Sequence, residues 1–432
     1  MREDKRILFV TDSAFLTTGY ANVVKNLCNT LELKYPIFYY AQHGLFYNKP
    51  VLWNNGVYFK YYNIDTDEGD SRGYRSFPRV IYDYKPDIVV TINDPWATTF
   101  IEERFNMFKD TFKWVNYLAI DSEPLVKTIR TPHYDENHGP IYQRNDFSII
   151  GPDQLIVFTE FGKKAILEAG LKPKNEIKVI PHGVDTEFFY PISKGEAANV
   201  IQKIFNIKSH DLTNSFVFGF VGVNQIRKGI PLLIEAFSKF YRDWKHKKHV
   251  HKEPLLLLYV SHSNFAWTLE ELVNEFKDVA SRIIILETGM VGYAADDYIL
   301  RYLYNVFDAF VMPSNREGWC LPVLEALATG CPVIVTKYGP MWEWSKPVAV
   351  PIEVKMFTRT FLTNYKEAHI DVNDLRKKMW KVYSKDLKQM NKEAYRKFAE
   401  RFDWNIVAEQ WIEVFNEIDS PSRKLERIEI TL

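Results

Sequence analysis

Two acids eight positions apart, Glu317 and Glu325, lie in the stretch Pro313 to Thr336, PSNREGWCLPVLEALATGCPVIVT. The apolar run Ala309 to Met312 reads as a strand, so Glu317 falls in the loop leaving it and Glu325 inside a short helix. Pro322 suits the first helical position and Gly330 the left-handed position just past the end. In open α/β sheets ligands bind in the crevice outside the carboxyl ends of the strands, and both acids would face such a ligand. The same spacing is equally consistent with a solvated loop acid and a helix acid favoured by the dipole. A second group with chemistry is Arg227-Lys228-Gly229, which ends the polar loop Gly222 to Gly229 between a strand and a helix. Two cations beside a helix N-terminus suit a diphosphate. This is not a Walker loop, because G-x-x-x-x-G-K-[ST] is absent. A third group, Thr17-Thr18-Gly19-Tyr20, sits where the first strand meets the first helix. Its N–H groups suit an anion or a sugar hydroxyl, though a lone glycine in a turn is more often only a turn. It is not G-x-G-x-x-G, and no acid follows at the distance that reads a nicotinamide ribose, which disfavours a dehydrogenase. The run Trp244 to Lys252 has three His and four Lys and reads as a solvated loop rather than a metal or lipid-headgroup site.

The elements that must hold these groups alternate between strand and helix. Apolar runs at Ile7–Val10, Ile37–Tyr40, Tyr58–Tyr62, Ile88–Ile92, Lys113–Ile120, Leu155–Phe158 and Ile177–Ile180 read as strands. Helical spacing at Tyr20–Leu33, Arg79–Tyr84 and Glu160–Ala169 falls between them. After a connector around Pro191 to Asn214 the alternation restarts. Strands are expected at Phe216–Val221, Leu255–Val260 and Ile283–Leu286, and helices at Ile230–Trp244, Leu269–Ala280 and Asp296–Phe307. Such alternation predicts α/β halves with parallel, doubly wound sheets. From about Leu375 the chain is helical and charged. Phe398, Phe402, Trp404, Val407, Trp411, Ile412 and Phe415 form an apolar stripe that docks either on the second half or back on the first.

Composition bounds the function. A chain of 432 residues is expected to hold two to three domains. Lys plus Arg equals Asp plus Glu at 55 each, so charge gives no reason to expect nucleic acid as a partner. Cys28, Cys320 and Cys331 show no C-x-x-C spacing, which argues against a disulfide framework or structural zinc and for a reducing, cytoplasmic setting. The start reads as a strand rather than a signal peptide, and no run has the ~18 apolar residues of a membrane span. Peripheral membrane contact stays open.

With these groups assembled, the chain resembles a retaining glycosyltransferase of the GT-B architecture, specifically glycosyltransferase family 4. Four segments carry the likeness: the N-terminal glycine loop; Val179 to Phe189, VIPHGVDTEFF; Gly222 to Gly229; and Asn315 to Glu343. The pair Glu317 and Glu325 reproduces the family's E-x7-E motif, with Gly318, Leu321 and Pro322 in the expected places. The likeness runs to about residue 345 and recurs in Phe402-Asp403-Trp404. It implies two Rossmann-like domains facing across a cleft: an acceptor domain over 1–190, completed by a C-terminal helix at about 405–432, and a nucleotide-sugar donor domain over 191–404. It also implies transfer of a sugar from a nucleotide-diphosphate-sugar to a hydroxyl of a carbohydrate, lipid or protein acceptor, with retention and with neither metal nor cofactor. Glu325 would bind the ribose hydroxyls and Glu317 the sugar hydroxyls. Lys228 and Arg227 would hold the diphosphate, and Gly19 and the amides at Gly318, Trp319, Cys320 and Leu321 would touch the donor. Three positions depart from the pattern. Val223 stands where the family has an Arg, leaving Arg227 to compensate. Asp121 stands where a His is common, placed to contact the donor sugar or orient the acceptor. Thr18-Gly19 replaces two glycines. A nucleotide-sugar epimerase or hydrolase on the same fold, or a binding protein without catalysis, stands as the alternative.

Overall fold

The structure, a computed structural model, describes residues 5–12, 16, 18–41, 51–52, 58–59, 61–63, 77–104, 108, 110–135, 139–247, 252–262, 267–290, 297–361, 363–384, 391–419 and 421. Thr17, the acidic turn after Tyr62 and residues 248–251 of the basic run lie outside them. The chain divides into two units: unit 1 holds Met1–Gly183, Phe361–Tyr365 and Trp404–Leu432, and unit 2 holds Val184–Thr360 and Lys366–Asp403.

Unit 1 is built on a parallel sheet of seven strands. In spatial order they are Lys178–Val179, Gln154–Val157, Lys113–Leu118, Ile88–Asn93, Ile7–Thr11, Ile37–Ala41 and Tyr61–Asn63. Ile7–Thr11 and Ile88–Asn93 are buried along their whole length. That is why they read as continuous apolar runs rather than as alternating ones: a parallel sheet is covered on both faces. The stretch expected as one strand at Tyr58–Tyr62 is two. Tyr61–Asn63 closes the sheet edge, while Tyr58–Phe59 pairs antiparallel with Val51–Leu52.

The stripe from Trp404 onward settles on unit 1. The helix Trp404–Glu417 buries Trp404, Val407, Trp411, Ile412 and Phe415. Trp411 meets Tyr117 edge-on at 5.0 Å, and Phe415 meets Tyr35 at 5.5 Å. Lys5 Nζ donates to the carbonyls of Phe415 and Ile418 at 2.6 and 2.7 Å, a cation on the free carbonyls of a helix C-terminus.

Unit 2 has a parallel sheet of six strands in the order Ile283–Met290, Pro254–His262, Phe216–Val223, Ala309–Met312, Val333–Thr336 and Val350–Ile352. The chain builds outward from Phe216–Val223 to one side, then returns to lay Ala309–Met312 on the other. The topological switch point therefore lies between these two strands, and the groups with chemistry follow both of them. Among the helices, the one expected over Leu269–Ala280 ends at Asn274. Phe276 N bonds to Val273 O at 2.9 Å and Val279 N to Phe276 O at 2.8 Å, tightening the chain into turns. Arg242 of the preceding helix fixes those turns by gripping Asp278 at 2.7 and 2.8 Å. Among the elements with no counterpart in the sequence reading are the antiparallel hairpins Thr128–Asp135 with Gly139–Arg144 and Val354–Arg359 with Lys366–Ile370. Among the described residues no helix is long and apolar enough to cross a membrane.

Candidate functional site

The loops after the two switch-point strands of unit 2 are sewn together by main chain. Asn315 N donates to Arg227 O at 2.7 Å, and Ser314 Oγ lies 3.0 Å from the same carbonyl. Gly229 has φ +68°, and a Cβ there would lie 2.4 Å from Pro313 O. Only glycine allows both that backbone conformation and that approach. The hairpin Val354–Arg359 with Lys366–Ile370 supports the second loop: Ala368 N donates to Asn315 O at 3.0 Å, and Glu367 lies 4.0 Å from Arg316.

This frame brings Arg227, Lys228 and Glu317 to one point. Glu317 Oε1 accepts from Lys228 Nζ at 2.6 Å and from Ser314 Oγ at 2.6 Å, and lies 2.8 Å from Arg227 Nη1. Lys228 and Glu317 are both buried, at 7% and 8% exposure. Burial pushes the Glu317 carboxyl up, but the Arg227 and Lys228 cations and the Lys228 and Ser314 hydrogen bonds outweigh it and hold it at about 2. The result is an ionised acid between two cations at the strand ends.

Glu325 is as buried, at 7%, and meets none of these groups. It lies in the helix Leu321–Ala328, with Pro322 at the helix start and Gly330 at φ +79° past its end. Its Oε2 accepts from Tyr304 Oη at 2.6 Å. Burial raises its carboxyl to about 8, against the Tyr304 hydrogen bond, which lowers it. Tyr304 was read from the sequence only as part of a helix. Ser314 stood in the quoted stretch without a role. Neither betrays its contact by local spacing, because each partner is set by how the loops and helices pack.

The residues between the two acids turn sharply. Cys320 takes φ +75° ahead of the helix, and its thiol is pushed up to about 12 by burial and Glu317. The Trp319 side chain points into an aromatic cluster, stacked on Trp344 at 4.8 Å and edge-on to Phe402 at 5.5 Å. Its carbonyl accepts from Trp344 Nε1 at 2.9 Å. Gly318 and Leu321 flank this turn. Val223 stands at the end of its strand as a partly buried side chain.

Gly19 and Asp121 belong to unit 1. Gly19 opens the helix Gly19–Leu31; Thr18 caps it by accepting from Ala21 N at 3.2 Å and donates to Asp12 at 2.8 Å. Tyr20 Oη donates to Asp94 Oδ1 at 2.8 Å. Burial, with Asp94, Asp121 and Asp12 around it, raises the Tyr20 phenol well above its usual range. Asp121 thus belongs to an acidic group around Tyr20, whereas the sequence singled out Asp121 alone. Farther on, Asp403 accepts from Thr186 N at 3.4 Å, so the Phe402-Asp403-Trp404 motif fastens the segment that begins unit 2. Among the described residues no group of three or more His, Cys, Asp or Glu is placed to hold a metal ion.

Residues 202–347 match the family model for glycosyl transferases group 1, and these residues hold the Arg227-Lys228 loop and both acids. Mannosylfructose-phosphate synthase of Agrobacterium fabrum is 29% identical over 189 residues, which cover 43% of this chain and 38% of that protein. The chain thus spans well under half the length of that relative. Among solved structures, sucrose-phosphate synthase from Thermosynechococcus elongatus superposes with a TM-score of 0.69 at 17% identity, over 96% of this chain and 98% of that one. Anabaena HepE, solved with UDP and glucose, gives a TM-score of 0.65 at 16% identity, over 96% and 100%. The fold is therefore GT-B, as the sequence led us to expect.

Proposed function

We propose that the chain transfers a sugar from a nucleotide-diphosphate-sugar donor to an acceptor hydroxyl, with retention of anomeric configuration and without a metal ion. One observation carries most weight: Arg227, Lys228 and Glu317 meet at the switch point of unit 2, on loops that share main-chain hydrogen bonds. In this reading the donor diphosphate takes the place of Glu317 as counter-ion to the two cations. Preorganised cations of this kind stabilise the charge that builds on the departing nucleotide. Glu317, released, accepts from the sugar hydroxyls, and Glu325 accepts from the ribose hydroxyls. The amides at Gly318, Trp319, Cys320 and Leu321 meet the phosphate or sugar at a helix N-terminus. Arg227 fills the part of the Arg replaced by Val223. Attack on the same face as the leaving group, with the leaving phosphate as base, needs no second carboxylate as nucleophile.

Asp121, in its acidic group with Tyr20, is assigned to a sugar or acceptor hydroxyl, and Gly19 to ligand binding. The acceptor class is a carbohydrate, lipid or protein hydroxyl. UDP, the nucleotide with which HepE was solved, is the first to test. Three cysteines that are buried and free fit a reducing, cytoplasmic setting.

The test is incubation with labelled nucleotide sugars, with and without a crude acceptor extract. Label transfer that requires the extract is the expected result. Nucleotide release without an acceptor would point to a hydrolase or epimerase, and saturable binding alone to a protein without catalysis. Calorimetry separates the roles of the acids. Glu317→Ala should leave affinity for free nucleoside diphosphate undiminished and weaken the sugar-bearing donor; equal loss of both ligands would overturn the division.

A further inference from the structure

We propose that Tyr304 is the positioning residue for Glu325, its hydroxyl holding one carboxylate oxygen so that the acid meets the ribose diol ionised and in a fixed orientation. This rests on the reading of Glu325 as a ribose ligand. The geometry is specific. Tyr304 is fully buried, and its Oη lies 2.6 Å from Glu325 Oε2. Its ring is fixed by edge contacts with Phe307 at 6.2 Å, Phe310 at 5.8 Å and Phe189 at 6.0 Å. A phenol has one proton to give, and here it goes to the carboxylate. Oε1 and the remaining lone pair on Oε2 are left for incoming hydroxyls.

The surroundings make this bond decisive. The strands Ala309–Met312 and Val333–Thr336, packed against the helix of Glu325, carry only Ala, Phe, Val, Met, Ile and Thr. The helix Lys392–Glu400 packs on the other end, where Arg396 donates to Ala328 O at 3.2 Å and Lys392 lies beside Gly330. On the helix Asp297–Val306, Asp297 acts with burial to protonate Glu325, and Tyr304 acts against both. Cys320, neutral under burial, lies near Tyr304. The Tyr304 hydroxyl is thus the side-chain hydrogen bond that favours the ionised acid. An ionised carboxylate accepts from both ribose hydroxyls; a protonated one loses an acceptor position.

The experiment is calorimetric titration of the full chain with UDP, GDP and ADP between pH 6 and 9.5, for wild type, Tyr304→Phe, Glu325→Gln and the double variant. Tyr304→Phe keeps the ring and its packing, and a thermal melt verifies the fold. Wild type should bind one nucleotide more tightly as pH rises through about 8. Tyr304→Phe should move that rise to higher pH and weaken binding at pH 7 on the order of tenfold, the factor that one unit of displacement implies. Glu325→Gln should abolish the rise, and adding Tyr304→Phe to it should cost nothing more. A rise with an unmoved midpoint in Tyr304→Phe, or equal further loss in the double variant, would overturn the positioning role and leave Glu325 as a ligand. If Glu325→Gln binds like wild type, or no nucleotide of the three binds, the assignment of Glu325 fails and the inference with it.

Discussion

Glu317 and Glu325 lie on one loop-and-helix segment and are buried to the same degree, yet their surroundings push the two carboxyls in opposite directions. The carboxyl in the loop is held at about 2 and the one in the helix is raised to about 8. Burial pushes both upward. What separates them is who faces each acid: two cations and a serine hydroxyl at Glu317, a single phenol at Glu325. Burial alone therefore accounts for the direction at Glu325 and fails at Glu317. A carboxylate already neutralised by cations suits a place that exchanges counter-ions with phosphate. A carboxylate poised near neutrality suits a place where hydroxyls arrive.

The largest effect should come from removing the cation that most tightly defines the loop end. Lys228→Ala leaves a buried carboxylate with Arg227 and Ser314 alone, and takes a charge from the proposed leaving-group pocket. A loss of about 10²–10³ in kcat is expected, the scale seen when one transition-state donor is removed. Steady-state transfer assays check it, and a loss below fivefold would break the assignment of the leaving-group role to Lys228.

The helix end is tested by stability against pH. For Glu325 the folded value, about 8, lies above the usual 4.5, so the folded state holds the proton more tightly and stability falls as pH rises from 4.5 to 8. For Glu317 the folded value, about 2, lies below 4.5, so its contribution is full above 4.5 and is lost as pH falls toward 2. Glu325→Gln should remove a decline on the order of a few kcal/mol between pH 5 and 8. Denaturant titration at the two pH values reads it; an equal decline in wild type and variant would show that Glu325 is not raised. The smallest effect belongs to Ser314→Ala. It costs Glu317 one hydrogen bond while both cations remain, so stability at pH 7 should fall by about 1 kcal/mol, measured by the same titration. A loss as large as that of Lys228→Ala would mean that the serine, not the cations, sets the state of Glu317.

Much of this segment was legible in the sequence. Pro322 and Gly330 bracketed the helix because φ preferences and missing donors act locally. Strand and helix alternation foretold both sheets, because burial on two faces writes itself into apolar runs. What stayed hidden depended on chain segments distant in sequence. Tyr304 finds Glu325 across 21 positions and Lys228 finds Glu317 across 89. The hairpin after Ile352 exposes Lys355, Met356 and Phe357 in succession, so no period-two pattern separated an inner from an outer face. The left-handed turn at Cys320 was hidden for another reason: a residue with a Cβ seldom takes that conformation, and here the packing of Trp319 on Trp344 accompanies it.

The return of the chain to unit 1 at Trp404 bears on synthesis. Unit 1 begins with Ile7–Thr11, but its core includes Trp411 against Tyr117 and Phe415 against Tyr35. A ribosome must therefore translate all of Val184 to Asp403 before the unit it started first can be closed. Until then the nascent protein carries a complete sheet holding Lys228 and Glu317, and an earlier sheet still short of its covering helix.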